Sequence, residues 1–202
     1  MKIYKKLFLL STVILINLLY CIPSIASSLP EGFVYLNDVI PDIKIELRYY
    51  TDDNFVGERI DGYLKPKCIL SKRAALALKK VQADLKPFGL GLKVYDAYRP
   101  QHAVDHFIRW AKDIKNIKMK GKYYPDLAKK DLFKEGYIAA KSSHTRGSTV
   151  DVTIITLDSK RELDMGSGYD FFNPKSWPNN PSMTANQRAH RMLLQTLMTD
   201  HG

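Results

Sequence analysis

The spacing of apolar residues changes once between Ser71 and Asp96, and that change restricts the fold more than any other feature. From Ser71 to Lys86, Ala74, Leu78, Val81 and Leu85 recur at helical intervals, with Ser71 suited to an N-cap and Pro87 and Gly89 as stop signals. Leu90, Leu92 and Val94 then repeat at every second residue, which predicts a strand running up to Asp96. Upstream, Ile43, Ile45, Leu47 and Tyr49 alternate with Lys44, Glu46, Arg48 and Tyr50, the period of a half-buried strand. Downstream, Pro100 suits a first helical position, and the helix it opens is expected to bury Ala103, Phe107, Ala111 and Ile114. A polar connection rich in Lys and Tyr follows over 115–130, and Thr149 to Leu157 is β-branched enough to predict a central strand. Thr184 and Gln187 form a capping box for a last helix whose apolar stripe is Ala185, Ala189, Met192, Leu193 and Leu197, with Gly202 at its C-cap. Strands and helices mix without strict βαβ alternation, so an α+β domain is expected rather than a doubly wound sheet.

The chain has 202 residues, 45% hydrophobic and 26% charged, which suits one globular domain, and it contains no repeat or low-complexity tail. Its start has a different character. Lys2, Lys5 and Lys6 precede an apolar run from Leu7 to Tyr20, and Ser24, Ile25 and Ala26 form a small-x-small site, so residues 1–26 are expected to be a signal peptide and export across the inner membrane to follow. An uncleaved anchor competes with that reading, but a run of about 14 residues falls short of the roughly 20 that span a bilayer. Tyr20 is too bulky for a lipobox at Cys21. Removal of 1–26 takes away three lysines and no acid, lowering the net charge from +10 to +7. That moderate basicity suits an anionic cell-wall or membrane surface. No basic run with interleaved aromatics points to nucleic acid. Only Cys68 then remains, so no internal disulfide is available, and Cys68 is expected to be a small buried hydrophobe.

Reactive side chains concentrate in Ser142-Ser143-His144-Thr145-Arg146-Gly147-Ser148-Thr149-Val150-Asp151. A histidine in a Gly-containing turn and an aspartate seven residues on, at a strand, can place an imidazole nitrogen and a carboxylate oxygen on one metal ion. Strand alternation turns Asp151 away from the face that Val150 and Val152 occupy. On the residues alone, a shared metal and a buried His144–Asp151 hydrogen bond both remain open. His102 and His106 have the spacing of a zincin pair, yet Ala103 stands where that motif needs Glu, and their face continues to Arg109 and Asp113, which predicts a wet side without metal.

The same segment resembles the SxHxxGxAxD signature of the zinc D-alanyl-D-alanine dipeptidases of the VanX type and related DD-carboxypeptidases, matched at Ser142, His144, Gly147 and Asp151, with Thr149 in place of the usual alanine. Asp96-Ala97-Tyr98-Arg99-Pro100-Gln101 is similar to an upstream segment of that family, as are Thr51-Asp52-Asp53-Asn54-Phe55 and Met165 to Phe171, so the likeness runs from about Asp38 to the end of the chain.

The resemblance implies an α+β domain with a mostly antiparallel sheet flanked by helices, one Zn2+ ion on His144 and Asp151, and hydrolysis of the small dipeptide D-Ala-D-Ala in cell-wall metabolism. Arg99 then stabilises the oxyanion, Asp96 orients Arg99, Asp170 receives the substrate ammonium, and Ser142 belongs to the same pocket. Because it precedes Pro100, Arg99 is biased to extended backbone at a strand exit, from which it can point into a cleft. In the family a Glu and a His spaced E-x-x-H follow the last helix as base and third ligand. The sequence ends at Gly202 and has no Glu after Glu162, so a C-terminally truncated chain is expected, with its last strand segment missing and its hydrolysis impaired by the loss of that Glu and His. Two alternatives follow: a noncatalytic remnant that binds peptidoglycan peptides, and a DD-carboxypeptidase acting on longer stem peptides.

Overall fold

The computed structural model describes residues 29–202; the expected signal peptide, with Cys21, lies outside them. Helix α1, Lys72–Leu85, begins where Ser71 accepts a hydrogen bond from the Ala74 amide, and buries Ala75, Leu78, Val81 and Leu85. A short 3-10 extension ends at Gly89, whose φ of 69° supplies the left-handed residue needed to reverse into strand β4, Leu90–Asp96. Gln82 fastens the two elements: buried on α1, it accepts from the Leu92 amide at 2.7 Å.

Strand β4 is the middle of a three-stranded sheet, parallel to β2 (Lys44–Ile45) and antiparallel to β5 (Asp151–Thr156). A separate antiparallel pair joins β1 (Phe33–Tyr35) to β3 (Ile69–Ser71). The architecture is therefore α+β, with mostly antiparallel pairing. Two expectations need correction. The run 43–50 stays extended only over Lys44–Ile45 and then turns in a 3-10 segment at Arg48–Tyr50, although Ile43, Leu47 and Tyr49 keep the buried phase. Strand β5 lies at a margin rather than in the centre. Its β-branched run is covered because the outer edge is met by the Arg161–Leu163 segment, through Thr156 N to Arg161 O and Leu163 N to Ile154 O.

Two cores flank this sheet. The aliphatic one gathers Leu78, Val81, Leu85, Leu92, Val94 and Ile154 under α1 and α3 (Ala185–Asp200). The other is aromatic, and Phe55 lies 4.9–5.0 Å from the rings of Phe107, Trp110 and Phe172. Helix α2, Gln101–Lys112, supplies Ala103, Phe107, Trp110 and Ala111 to it, with Pro100 as N-cap rather than first helical residue. Ile114 is 65% exposed because the helix ends at Asp113. His106 is buried, contrary to the expected wet face: the 58–61 loop covers it, the Asp61 amide donating to Nδ1 at 3.1 Å and Glu58 meeting Nε2 at 3.1 Å. The connection after α2 is less polar than its composition suggests, since Tyr123 and Tyr124 are buried in the aromatic core. Lys129 stands 3.9 Å over Trp110 and donates to the Asp113 and Asn116 carbonyls.

The capping box of α3 forms as expected. Its inward stripe is rotated, however: Leu193, Leu194, Leu197 and Met198 pack on the aliphatic core, whereas Ala185, Ala189 and Met192 face outward. Cys68 is buried, and its thiol is pushed up to about 12, chiefly by burial. Among the described residues no helix is long and apolar enough to cross a membrane.

Candidate active site

Strands β4 and β5 pair in regular register from Leu90↔Thr156 to Val94↔Val152, and then one residue is inserted so that Asp96, not Tyr95, opposes Asp151. Without that bulge Asp96 would point to the other face of the sheet; with it, two carboxylates project to one side. Directly opposed acids repel. Arg99, three residues past the strand end, separates them: its Nε donates to Asp96 Oδ2 at 2.9 Å and its Nη2 to Asp151 Oδ2 at 3.2 Å. The guanidinium is itself sandwiched, 5.0 Å from the Tyr49 ring and 5.4 Å from that of Phe107.

His144 reaches the same place from a 3-10 turn, Ser143–Arg146, that Ser142 caps by accepting from the His144 amide at 3.3 Å. The turn closes at Gly147, with φ of 70°, where a Cβ would stand 2.4 Å from Phe33 Cε1, so both backbone and space demand glycine. His144 Nδ1 lies 2.8 Å from the Ala97 carbonyl, and since a carbonyl only accepts, Nδ1 carries the proton and Nε2 keeps its lone pair. That lone pair faces Asp151 Oδ1 at 3.4 Å. Asp151 is divided in the same way: Oδ2 is taken by Arg99 and by Tyr169 Oη at 3.3 Å, leaving Oδ1 toward the imidazole.

Ligand atoms of Asp96, His144 and Asp151 all lie within 4.8 Å of one another, a possible three-residue metal site. Their orientation separates their roles. Asp96 approaches the Nδ1 side of the ring, at 3.5 Å, with Oδ1 held by Tyr63 Oη at 2.6 Å, so it braces His144 and Arg99 from behind, while Nε2 and Asp151 Oδ1 face forward.

Asp170 enters through aromatic neighbours. It adopts φ of 53°, a left-handed conformation uncommon outside glycine, and accepts from Tyr49 Oη at 2.6 Å. Burial first, and then the nearby Asp151 charge, push its carboxyl up to about 7. Burial likewise raises Asp96, and Arg99 opposes that rise. The His144 imidazole is lowered by burial but raised further by Asp151, with a net upward shift. Arg99 is bonded to two carboxylates, Asp96 and Asp151, with Asp170 nearby on Tyr49, so acidic groups outnumber the guanidinium, an arrangement that suits a divalent cation together with a cationic ligand. Asp151, Tyr169 and Asp170 line one hollow of about 380 Å³, which extends past Tyr95 to Glu162. Ser142 does not line it, and its observed partner is the turn that carries His144. A larger hollow of about 990 Å³ lies between the start of α1 and the end of α3. It touches none of the four groups around Arg99, and lysines with no converging partner line it.

His144, Asp151, Arg99 and Asp96 converge as expected, and Asp170 joins them through Tyr49. Neither tail histidine approaches: His190 Nδ1 is on the Asp164 carbonyl and His201 Nε2 on Asp84, both at 2.6–2.8 Å. Three tyrosines escaped the reading of the sequence. Tyr49, Tyr63 and Tyr169 each place a hydroxyl on one of the three acids. Only Tyr49 left a signal there, as a buried-phase residue whose hydroxyl requires a partner.

Known proteins resemble this chain along most of its length. A family model described as D-ala-D-ala dipeptidase matches residues 30–202. A D-alanyl-D-alanine dipeptidase of Enterococcus faecalis is 37% identical over 172 residues, 85% of each chain. One of Streptomyces coelicolor is 34% identical over 170 residues, 84% of each, and one of Escherichia coli K12 is 32% identical over 164 residues, 81% of this chain and 74% of that one. With a match along nearly all of the described residues and three relatives above 30% identity, the chain belongs to the D-Ala-D-Ala dipeptidase family of peptidases.

Proposed function

We propose that this protein is exported, loses residues 1–26, and hydrolyses D-alanyl-D-alanine to D-alanine outside the inner membrane with one zinc ion held by His144 and Asp151. The observation that carries the reading is the 3.4 Å between His144 Nε2 and Asp151 Oδ1. Two donors each about 2.0–2.1 Å from a tetrahedral zinc stand about 3.3–3.4 Å apart, whereas a good N–H···O bond is nearer 2.9 Å. The opposite atom of each group is already held, so both present a fixed lone pair to the same point. Zinc, when bound, supplies Lewis acidity toward a peptide carbonyl and makes water a stronger acid.

Around that pair the chain's own residues bind the dipeptide and stabilise charge. Arg99, fixed between Asp96 and Asp151, stabilises negative charge as it gathers on the carbonyl oxygen of the scissile bond. Asp170, oriented by Tyr49, receives the free ammonium of the dipeptide, and a long acylated chain offers no such cation to neutralise it. Ser142 holds the turn that carries His144. Metal analysis and D-alanine release test the reading together. Zinc uptake and D-alanine release are expected, both weaker than a site with a third side-chain ligand in front and a carboxylate base would give, and both lost in His144→Ala and Asp151→Ala. Zinc-loaded protein that releases no D-alanine would sink it.

A further inference from the structure

The loop 165–177 carries Tyr169 and Asp170 past the site with little regular structure of its own, and Asp170 holds a backbone conformation that an L-residue keeps only when its surroundings impose it. One side chain reaches both ends of that loop. Arg191, on the second turn of α3, donates from Nε to the Met165 carbonyl at 2.6 Å, from Nη1 to the Trp177 carbonyl at 2.7 Å, and from Nη2 to the Lys175 carbonyl at 2.9 Å and to Ser167 Oγ at 3.4 Å. A guanidinium that satisfies three backbone carbonyls, twelve positions apart at the extremes, fixes the span of the loop and hence the place of its middle. The same helix face adds Gln187, bonded to Asp164 at 2.9 Å, and His190, bonded to the Asp164 carbonyl at 2.8 Å. Inside the loop, Ser176 closes the short way by donating to the Phe171 carbonyl at 2.5 Å. Arg191 lines none of the hollow that holds Asp151 and Asp170.

We infer that Arg191 is a positioning residue for dipeptide recognition: it clamps the 165–177 loop so that Tyr169 and Asp170 are held against Asp151 and Tyr49. The inference rests on the reading of Asp170 as the ammonium site. A lysine ammonium donates from a single point and lacks the planar fork that meets the Met165, Trp177 and Lys175 carbonyls from three separate nitrogens, so Arg191→Lys loosens the loop and Arg191→Ala releases it, the first retaining the charge.

Steady-state kinetics on D-Ala-D-Ala with the full protein, its Asp170→Asn, Arg191→Lys and Arg191→Ala variants and the Asp170→Asn/Arg191→Ala double variant tests this, together with amide hydrogen exchange across 166–172. Arg191→Ala is expected to raise KM about tenfold, the loss of one charge-assisted hydrogen bond. It should leave kcat within about threefold, add little to Asp170→Asn, and speed exchange across 166–172 about tenfold, with Arg191→Lys between. A merely structural residue would lower the active fraction, and so kcat, at constant KM. Unchanged KM in the Arg191 variants beside a raised KM in Asp170→Asn would overturn the clamp, as would unchanged exchange across 166–172. If Asp170→Asn itself leaves KM unchanged, or no dipeptide is hydrolysed, the ammonium reading fails, while the exchange comparison still decides whether Arg191 holds the loop.

Discussion

Replacing Gly147 by alanine offers the sharpest test of how the histidine turn is built. The backbone there has φ of 70°, and an added Cβ would stand 2.4 Å from Phe33 Cε1 and 3.2 Å from Phe33 Cζ. A left-handed alanine costs about 1–2 kcal/mol. Phe33 cannot simply swing away, because its other side packs edge-on against Tyr98 at 6.2 Å between centroids, so relieving the clash costs about 1–3 kcal/mol more. The total, about 3 kcal/mol, corresponds to a fall in Tm of about 6–12 °C for a domain of this size. The displacement also reaches the site, since the Gly147 amide bonds the His144 carbonyl at 2.9 Å and the Gly147 carbonyl takes the Ser71 amide at 2.7 Å. Calorimetry of Gly147→Ala in the native and Phe33→Ala backgrounds separates the two contributions. In the second background the clash is gone and only the conformational cost of about 1–2 kcal/mol should remain. A Tm within about 2 °C of the parent, or an equal loss in both backgrounds, would show that the Phe33 contact does not constrain this turn.

Arg99→Lys keeps a charge but loses the planar fork that meets Asp96 and Asp151 from separate nitrogens, so kcat should fall about 10²-fold or more while zinc remains bound, and an unchanged kcat would contradict its role at the carbonyl oxygen. Cys68 should resist iodoacetamide in native protein at pH 8 and react once unfolded, because its folded thiol titrates at about 12 against about 9 when exposed. The folded state therefore holds the extra proton between those values, and this group's contribution to stability, intact below pH 9, declines as pH rises toward 12; fast native alkylation would refute the burial. Lys129→Met removes a cation stacked on Trp110 and two carbonyl bonds at the end of α2, and urea unfolding should show a loss of about 2–3 kcal/mol; a loss below about 0.5 kcal/mol would mean that solvent replaces those bonds.

Local chemistry explains which parts of this structure were readable in advance. Ser71 and the Thr184–Gln187 box mark helix starts because caps act within one turn. The facing of a helix depends instead on what else covers it. The phase of α2 alone sends His106 to solvent, yet the 58–61 loop, distant in sequence, closes over it. Met192 points outward, while Arg191 beside it bonds the 165–177 carbonyls and the inward arc of α3 runs through Leu194 and Met198. His144, Asp151, Arg99 and Asp96 lie in compact motifs and were identifiable from them. The tyrosine hydroxyls that orient the acids were not, since each pair is joined only by the fold.

The bulge in β4 connects these levels. Up to Val94 the β4–β5 pairing follows from alternation, and a continued register would have placed Tyr95 opposite Asp151 and sent Asp96 to the far face. The single inserted residue instead sets two carboxylates side by side, an arrangement that weakens the sheet and that Arg99, Tyr63 and Tyr169 offset with directed hydrogen bonds. Each of those bonds occupies a carboxylate oxygen other than Asp151 Oδ1. What remains is one imidazole nitrogen and one carboxylate oxygen, aimed at a common point beside a fixed guanidinium, and a strand without the bulge could not have produced it.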